Sequence, residues 1–325
     1  MKDIFKEKTI LITGGTGSFG KKFTEILLSQ HQPKKVIIFS RDEMKQYEMS
    51  KNINGDNVRY FIGDIRDPDR LHRAFNGVNI IIHAAALKIV PTAEYNPFEV
   101  VKTNIIGAEN VINIAIDNNV EKVIALSTDK AANPINLYGA TKLCAEKMFI
   151  AANNYSPHGT RFSVVRYGNV LGSRGSVVPF FKECIKNGEI PITDKRMTRF
   201  WITLKQGADF VISCLEDMQG GEIFIPKIPS MKILDLAKAI APKCKIKITG
   251  IRPGEKLHEV LIAADDARYT EERKDRFITC PGVVFGKNHR FLKKTLPDSF
   301  DGYRSDNNTE WLSAGALQKM IQGCD

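Results

Sequence analysis

The sequence predicts an α/β protein, a doubly wound parallel sheet with a smaller mixed α/β substrate-binding region. Three observations predict it: short apolar runs recur through the first half, helical patterns separate them, and a glycine-rich turn joins the first run to the first helical pattern. The runs are residues 9–13, 35–39, 58–63, 79–84, 121–128 and 161–167. Most are continuous rather than alternating, as in strands covered on both faces. One helical pattern starts at Ser18, a second spans 97–117 with Pro97 in its first turn, and a third spans 137–152 and is rich in helix formers. Strand–helix alternation with right-handed crossovers gives the doubly wound sheet.

Past residue 168 the alternation loosens. Short strands, a Gly220-Gly221 turn and a helical pattern over Ile233–Ile240 predict a mixed region packed on the sheet. Ligands of such sheets bind beyond the carboxyl ends of the strands, so this region is expected to close over that edge. The expected division is a nucleotide-binding domain over 1–168, a mainly substrate-binding region over 169–290 that interleaves in part with the first, and a C-terminal tail over 291–325. A short helix is expected in that tail, over 310–321.

The 325 residues suggest two structural units or one large fold. An apolar share of 43% with 26% charged residues belongs to a globular chain and not to a disordered one. No apolar run approaches the roughly 20 residues that span a bilayer. The opening Met1-Lys2-Asp3-Ile4 does not read as a secretory signal, so a cytoplasmic protein is expected. Cys144, Cys184, Cys214, Cys244, Cys280 and Cys324 form no C-x-x-C pair and have no histidine cluster beside them, which points to reduced thiols and no metal. The formal net charge is +10, with no Lys/Arg block longer than two. That distribution suits an anionic small substrate and gives no expectation of nucleic acid or membrane.

The first strand runs into Gly14-Gly15-Thr16-Gly17-Ser18-Phe19-Gly20. Glycines at 14, 17 and 20 allow a tight turn, backbone N–H groups close to a pyrophosphate, and close helix–strand packing. This makes the sheet Rossmann-type. Gly15 to Lys21 also fits the start of a P-loop, but Lys22 stands where a Mg²⁺-binding hydroxyl is needed. At the end of the second strand Ser40 and Arg41 replace the acidic residue that pairs with the ribose of NAD, and Lys45 follows one helical turn on. NADP is therefore the expected cofactor. Asp42 and Glu43 fit better as first-turn residues of the next helix. Asp64 and Ile65, at the end of the third strand, are expected to meet the adenine.

The fifth strand ends in Ser127-Thr128-Asp129-Lys130, and Tyr138 and Lys142 stand at i and i+4 on the helix that follows. A phenol beside a cation becomes a usable base near neutral pH, so Lys142 is expected to lower the pKa of Tyr138. A strand-end hydroxyl can share the proton.

These motifs resemble the extended short-chain dehydrogenase/reductase family. Within it the chain is similar to the inverting UDP-N-acetylglucosamine 4,6-dehydratases of pseudaminic acid biosynthesis. The resemblance runs to about residue 290 and rests on residues 11–20, 127–142, 166–176 and Arg252-Pro253-Gly254-Glu255-Lys256-Leu257-His258-Glu259. Retaining relatives carry Thr-Asp-Glu at the strand end; the Thr128-Asp129-Lys130 found here goes, by resemblance, with inversion at C5. The resemblance implies a hydro-lyase acting on UDP-N-acetylglucosamine with tightly bound, recycled NADP. Tyr138, aided by Lys142 and Thr128, would take the 4-hydroxyl proton. Lys130 would be the C5 base and must then be neutral, its pKa depressed by neighbouring positive charge. Asp129 would be the acid for the leaving water and must be protonated.

The resemblance completes the expected cofactor set with Ala84, Ala85, Lys88, Asn104, Tyr138 and Lys142. For the substrate, the resemblance implies Lys88 near the sugar, Asn169 and Arg174 near the diphosphate, and Thr193, Met197, Arg252 and Glu255 along the uridine, with Val170 and Arg199 as further candidates. His83 and His258 have no accompanying metal ligands. Members of the family are dimers or hexamers, and the helices after strands four and five are the expected interface. The competing readings are a retaining dehydratase, a UDP-sugar 4-epimerase, and a non-catalytic NADP-binding sensor, which would have no reason to keep Thr128, Tyr138 and Lys142.

Overall fold

The computed structural model describes residues 3–173, 176–281 and 294–322. Six parallel strands, β1 (Thr9–Thr13), β2 (Lys35–Ser40), β3 (Val58–Ile62), β4 (Ile80–His83), β5 (Lys122–Thr128) and β6 (Arg161–Tyr167), lie within a residue or two of the apolar runs. Helix α1 (Ser18–Gln30) follows β1, α2 (Glu43–Asn52) follows β2, and α3 (Pro68–Phe75) follows β3. Side chains of Asp42 and Asp67 cap α2 and α3 by accepting from the backbone N–H groups of Lys45 and Arg70.

The single helix expected over 97–117 is broken. After α4 (Val90–Tyr95) come α5 (Pro97–Val101), a π-helical turn (Lys102–Ile106) and α6 (Gly107–Asp117). The wider turn brings Asn104 inward, where its amide holds the loop after β4. A 3₁₀ turn (Asp129–Ala131) then leads to α7 (Leu137–Ala151), capped by Asn136, whose Oδ1 accepts from Gly139 N–H at 2.8 Å.

The second half consists of β7 (Asn169–Val170), α8 (Val177–Cys184), β8 (Glu189–Ile192), β9 (Thr198–Ile202), α9 (Leu204–Asp217), β10 (Ile223–Pro226), β11 (Ser230–Lys232), α10 (Ile233–Ile240), β12 (Lys245–Ile248), β13 (Val260–Ile262), β14 (Thr270–Glu272), β15 (Arg276–Thr279), β16 (Tyr303–Arg304) and α11 (Ala314–Gln322). The main sheet has nine strands in the order β14-β15-β10-β6-β5-β4-β1-β2-β3. Strand β10 joins β6 in parallel, and β15 and β14 extend the edge antiparallel, so the chain returns to the sheet after leaving it. Small sheets β11-β9-β7, β12-β8 and β13-β16 form beyond the carboxyl ends.

Two cores result. The larger one lies on both faces of the sheet, where every residue of β1 and β4 is buried. The smaller gathers Leu171, Phe181, Trp201, Met231, Leu236 and Leu317 from the second half. The last helix begins at Ala314, later than the expected 310, because residues 310–312 pair with the edge of β11 instead. Ser230 N–H donates to Glu310 O at 2.9 Å, and Leu312 N–H donates to Ser230 O at 2.8 Å. A buried Arg166–Glu146 ion pair of 2.6 Å ties β6 to α7, and Arg166 also donates to Leu261 O at 2.8 Å. The strand order turns back between β1 and β4, which opens the ligand crevice above them.

Candidate active site

A cavity of about 780 Å³ fills that crevice. The glycine turn forms its floor. Gly14 has φ +65°, and a Cβ there would come within 2.9 Å of the Ala85 backbone; a Cβ on Gly20 would run into Gly15 O. No side chain caps the N-terminus of α1, where Gly17 is the N-cap on the cavity wall. Such an end suits a pyrophosphate. The buried atoms Thr103 Oγ1, Ser127 Oγ, Asn169 Oδ1 and Ser176 Oγ have no hydrogen-bond partner among the described residues, and all four residues line this cavity. Buried polar groups left this way fit a polar ligand.

At the end of β2, Gln46 Nε2 donates to Ser40 Oγ at 3.0 Å and to Phe61 O at 2.9 Å. Arg41 is half exposed and lies 3.5 Å from Asp64 Oδ2. Asp42 is itself the N-cap of α2 and pairs with Lys45, so its carboxylate is engaged. Gly14, Thr16, Gly17, Ser18, Phe19, Gly20, Ser40, Arg41, Lys45, Asp64, Ile65, Ala84, Ala85, Lys88, Tyr138 and Lys142 all line the cavity. Asn104 does not. Its side chain accepts from Leu87 N–H at 2.9 Å and donates to Leu87 O at 2.9 Å and Thr141 Oγ1 at 3.1 Å, which fixes the Ala84–Lys88 loop against α7.

A second cavity of about 600 Å³, lined by Thr193, Met197, Arg199, Arg252 and Glu255, meets the first at Lys130, Asn169 and Arg252. Val170 lines the first. Arg174 lies outside the described residues. Arg199 donates to Thr198 O at 2.7 Å and Lys256 O at 2.9 Å, so much of its guanidinium holds the chain around residue 257.

The candidate proton-handling groups gather around Lys130, which lines both cavities. Thr128 Oγ1 donates to Asp129 Oδ1 at 2.8 Å, and Lys130 Nζ donates to the same oxygen at 3.0 Å. Asp129 is fully buried behind Lys130 and lines neither cavity. Gly139 lets the Lys130 carbonyl lie close against α7, where a Cβ would clash.

The electrostatics differ from the expectation in two places. Burial pushes the Tyr138 phenol up to about 12, and the cation that opposes this is Lys130, with help from the Thr128 hydroxyl. Lys142 is itself pulled down to about 8 by burial, against the pull of Glu146. The expected lowering of Tyr138 by Lys142 is therefore not what these protein groups produce. Burial also works against the Lys130 ammonium, but the Asp129 and Glu259 carboxylates outweigh it and hold its pKa above the ordinary lysine range. The expected depression is thus reversed, because two buried anions face Lys130. Burial and then the Glu259 charge raise Asp129, the direction an acid requires. Lys88 is lowered by burial and by the charge of Lys130.

The sequence profile of the polysaccharide biosynthesis protein family matches residues 10–281. The chain belongs to this family. A family relative from Campylobacter jejuni, a UDP-N-acetylglucosamine 4,6-dehydratase (inverting), is 56% identical over 98% of this chain and 98% of its own. A UDP-glucose 4-epimerase from Rickettsia conorii is 43% identical over 84% of this chain and 83% of its own. Among solved structures, Pen from Bacillus thuringiensis superposes with a TM-score of 0.88 at 40% identity, covering 98% of this chain and 99% of that one.

For this member of the family, sequence reasoning missed Glu259. It closes the Arg252–Glu259 motif, and its side chain lies 3.4 Å from Lys130 Nζ. A signal was present, since a glutamate in an otherwise specific motif needs a reason, but its partner is far away in the chain. Lys256 was missed for the same reason; its Nζ donates to Ala132 O at 2.6 Å. His83 Nδ1 lies 2.9 Å from Thr13 Oγ1, and His258 Nδ1 lies 2.8 Å from Thr198 Oγ1. Among the described residues no group of His, Cys, Asp and Glu could hold a metal, and no helix is long and apolar enough to cross a membrane.

Proposed function

We propose that the chain is a UDP-N-acetylglucosamine 4,6-dehydratase that inverts C5, with NADP as a tightly held, recycled cofactor. The observation that carries this reading is Lys130, which lines both cavities and is hydrogen-bonded to the buried Asp129 behind it, with Tyr138 on the wall of the first cavity. The glycine turn, with Gly14, Gly17 and the N-terminus of α1, would hold NADP, which when bound would supply a reversible hydride acceptor beside Tyr138. Arg41 and Lys45 line the cavity at the end of β2, where the Asp42 carboxylate is taken up by the α2 N-cap and by Lys45, and favour the 2′-phosphate.

The chain's own groups handle the protons. Tyr138 takes the 4-hydroxyl proton, assisted by Thr128. The C4 ketone acidifies C5–H; Lys130 removes that proton, and Asp129 gives one to the 6-hydroxyl as the C6–O bond breaks and water leaves. A proton delivered to the other face of C5 completes the inversion. Lys130 and Asp129 need no proton from outside to begin. Moving one proton across their 3.0 Å hydrogen bond converts ammonium and carboxylate into amine and acid. Arg252, Thr193, Met197 and Glu255 in the second cavity suit the uridine diphosphate, and Asn169 spans both cavities.

The reading places the enzyme in the cytoplasm, at the first step of pseudaminic acid biosynthesis, as a homo-oligomer. Tyr95 and Phe98, 87% and 77% exposed after β4, support an interface on that face. The similarity to a 4-epimerase makes epimerisation the second reading. Incubation with UDP-N-acetylglucosamine and no added reductant separates the two. Loss of one water with a C4 ketone is expected, with the inverted C5 seen by NMR and deuterium at C5 in deuterated water. Unchanged mass with an altered C4 would mean an epimerase, and an uninverted C5 a retaining dehydratase.

A further inference from the structure

Glu259 enters the proton-handling cluster from the substrate-binding side. Its side chain is 2% exposed. Oε1 lies 3.4 Å from Lys130 Nζ and 3.5 Å from Arg199 Nε, and Oε2 lies 3.9 Å from Lys256 Nζ. A carboxylate buried this deeply is costly unless it is paired. Its main chain is held as firmly. Glu259 N–H donates to Ser305 Oγ at 2.9 Å, Ser305 N–H donates to Glu259 O at 2.9 Å, and Ser305 Oγ lies 2.6 Å from Thr198 Oγ1. The residues after β16 thus clamp Glu259 in place. Among the described residues, Asp129 and Glu259 are the two carboxylates within ion-pair distance of Lys130.

We propose, on the dehydratase reading above, that Glu259 is a positioning residue: it holds Lys130 Nζ against Asp129 from the far side of the cleft and keeps the proton of that pair from being lost to solvent. The chemistry asked of the pair needs one proton, on Lys130 at rest and on Asp129 at the moment of elimination. The negative charge of Glu259 lies beside Lys130 and opposes loss of this proton in either location. The other charged or titratable groups facing the pair are Arg166 from β6, Arg199 from β9, Lys256 from the Glu259 segment, Lys88 from the loop after β4 and Tyr138 from α7. The cations among them ease proton loss, so Glu259 is the counterweight. The direction of both shifts agrees: Glu259 adds to Asp129 in raising Lys130, and to burial in raising Asp129.

The test is the pH profile of kcat for dehydration of UDP-N-acetylglucosamine by the wild type, Glu259→Gln and Glu259→Asp. NADP⁺ binding is titrated on the same samples. Glu259→Gln is expected to bind NADP⁺ as the wild type does, to lose about 100-fold in kcat, and to have the alkaline limb of kcat moved down by about 1–2 pH units. Glu259→Asp keeps the charge but withdraws it by one methylene, so its limb moves the same way and less far. A merely structural role would lower the rate and leave the limb in place. An unmoved limb in Glu259→Gln, or in Glu259→Asp should the glutamine variant not fold, overturns the inference. A wild type that fails to dehydrate UDP-N-acetylglucosamine overturns the dehydratase reading and this inference with it.

Discussion

Lys130 Nζ donates a hydrogen bond to Asp129 Oδ1 at 3.0 Å, and the carboxylate that receives it is shut off from solvent. The two residues are adjacent in the chain at the end of β5, so the strand fixes where both begin, and the 3₁₀ turn sets how they meet. On the proposed mechanism, the dehydration step depends on this bond. Replacing Lys130 by Met should lower dehydration by about 10²- to 10⁴-fold, while NADP⁺ binding at the glycine turn stays intact. Product NMR and a cofactor titration read the two effects separately. Turnover at the wild-type rate would remove Lys130 from the mechanism.

On the proposed reading, cofactor choice rests on the end of β2. Arg41→Ala should weaken NADP⁺ binding by about 10- to 100-fold, the worth of a hydrogen bond to a charged group, and leave NAD⁺ binding nearly unchanged. Parallel titrations with the two dinucleotides measure this. An equal loss for both would mean that Arg41 does not meet a 2′-phosphate.

The Arg166–Glu146 pair is buried on both sides and bidentate, with Nε and Nη2 of the arginine 3.0 and 2.6 Å from the carboxylate oxygens. Arg166→Met would strand Glu146 without its partner. The expected loss of stability is about 3–5 kcal/mol, measured by denaturant unfolding. A loss below about 1 kcal/mol would show that Glu146 finds another partner or takes up a proton at little cost.

His83 gives stability a pH dependence of known sign. Burial holds its folded pKa down to about 3, against 6.5 for the free side chain. The unfolded chain therefore binds the proton first as pH falls. The contribution of His83 is complete above pH about 6.5 and is lost as pH drops toward about 3. His83→Asn removes that proton and should give a shallower fall of Tm with acid than the wild type, even if Tm is lower throughout. His258, also lowered by burial, contributes in the same sense and remains. Equal slopes in the two proteins would contradict the assignment.

The nucleotide half was legible because its signals are local. A glycine turn between a strand and a helix, an i,i+4 Tyr–Lys pair and continuous apolar runs each report on neighbours a few residues away. The β1 bounds of Thr9–Thr13 and the start of α1 at Ser18 follow from such signals. The π-helical turn at Lys102–Ile106 was not legible, because Asn104 is drawn inward by Leu87 and Thr141 from other parts of the chain. Nor was the return of β10 and β15 to the main sheet, since short strands carry no mark of which edge they will join.

The sequence by itself determined which kinds of group the site contains: a glycine cradle, a phenol with a lysine one turn on, and an acid beside an amine at a strand end. Only the tertiary structure decided their charge states. The buried Asp129 carboxylate, joined by Glu259, which the second half of the chain brings to 3.4 Å from Lys130, reverses the shift expected for that lysine, and burial lifts Tyr138 where a neighbouring cation was expected to lower it. The reason is physical. Residue type and spacing along a strand or helix are local, whereas a proton's affinity depends on how much water is excluded and on which distant charges fold into reach.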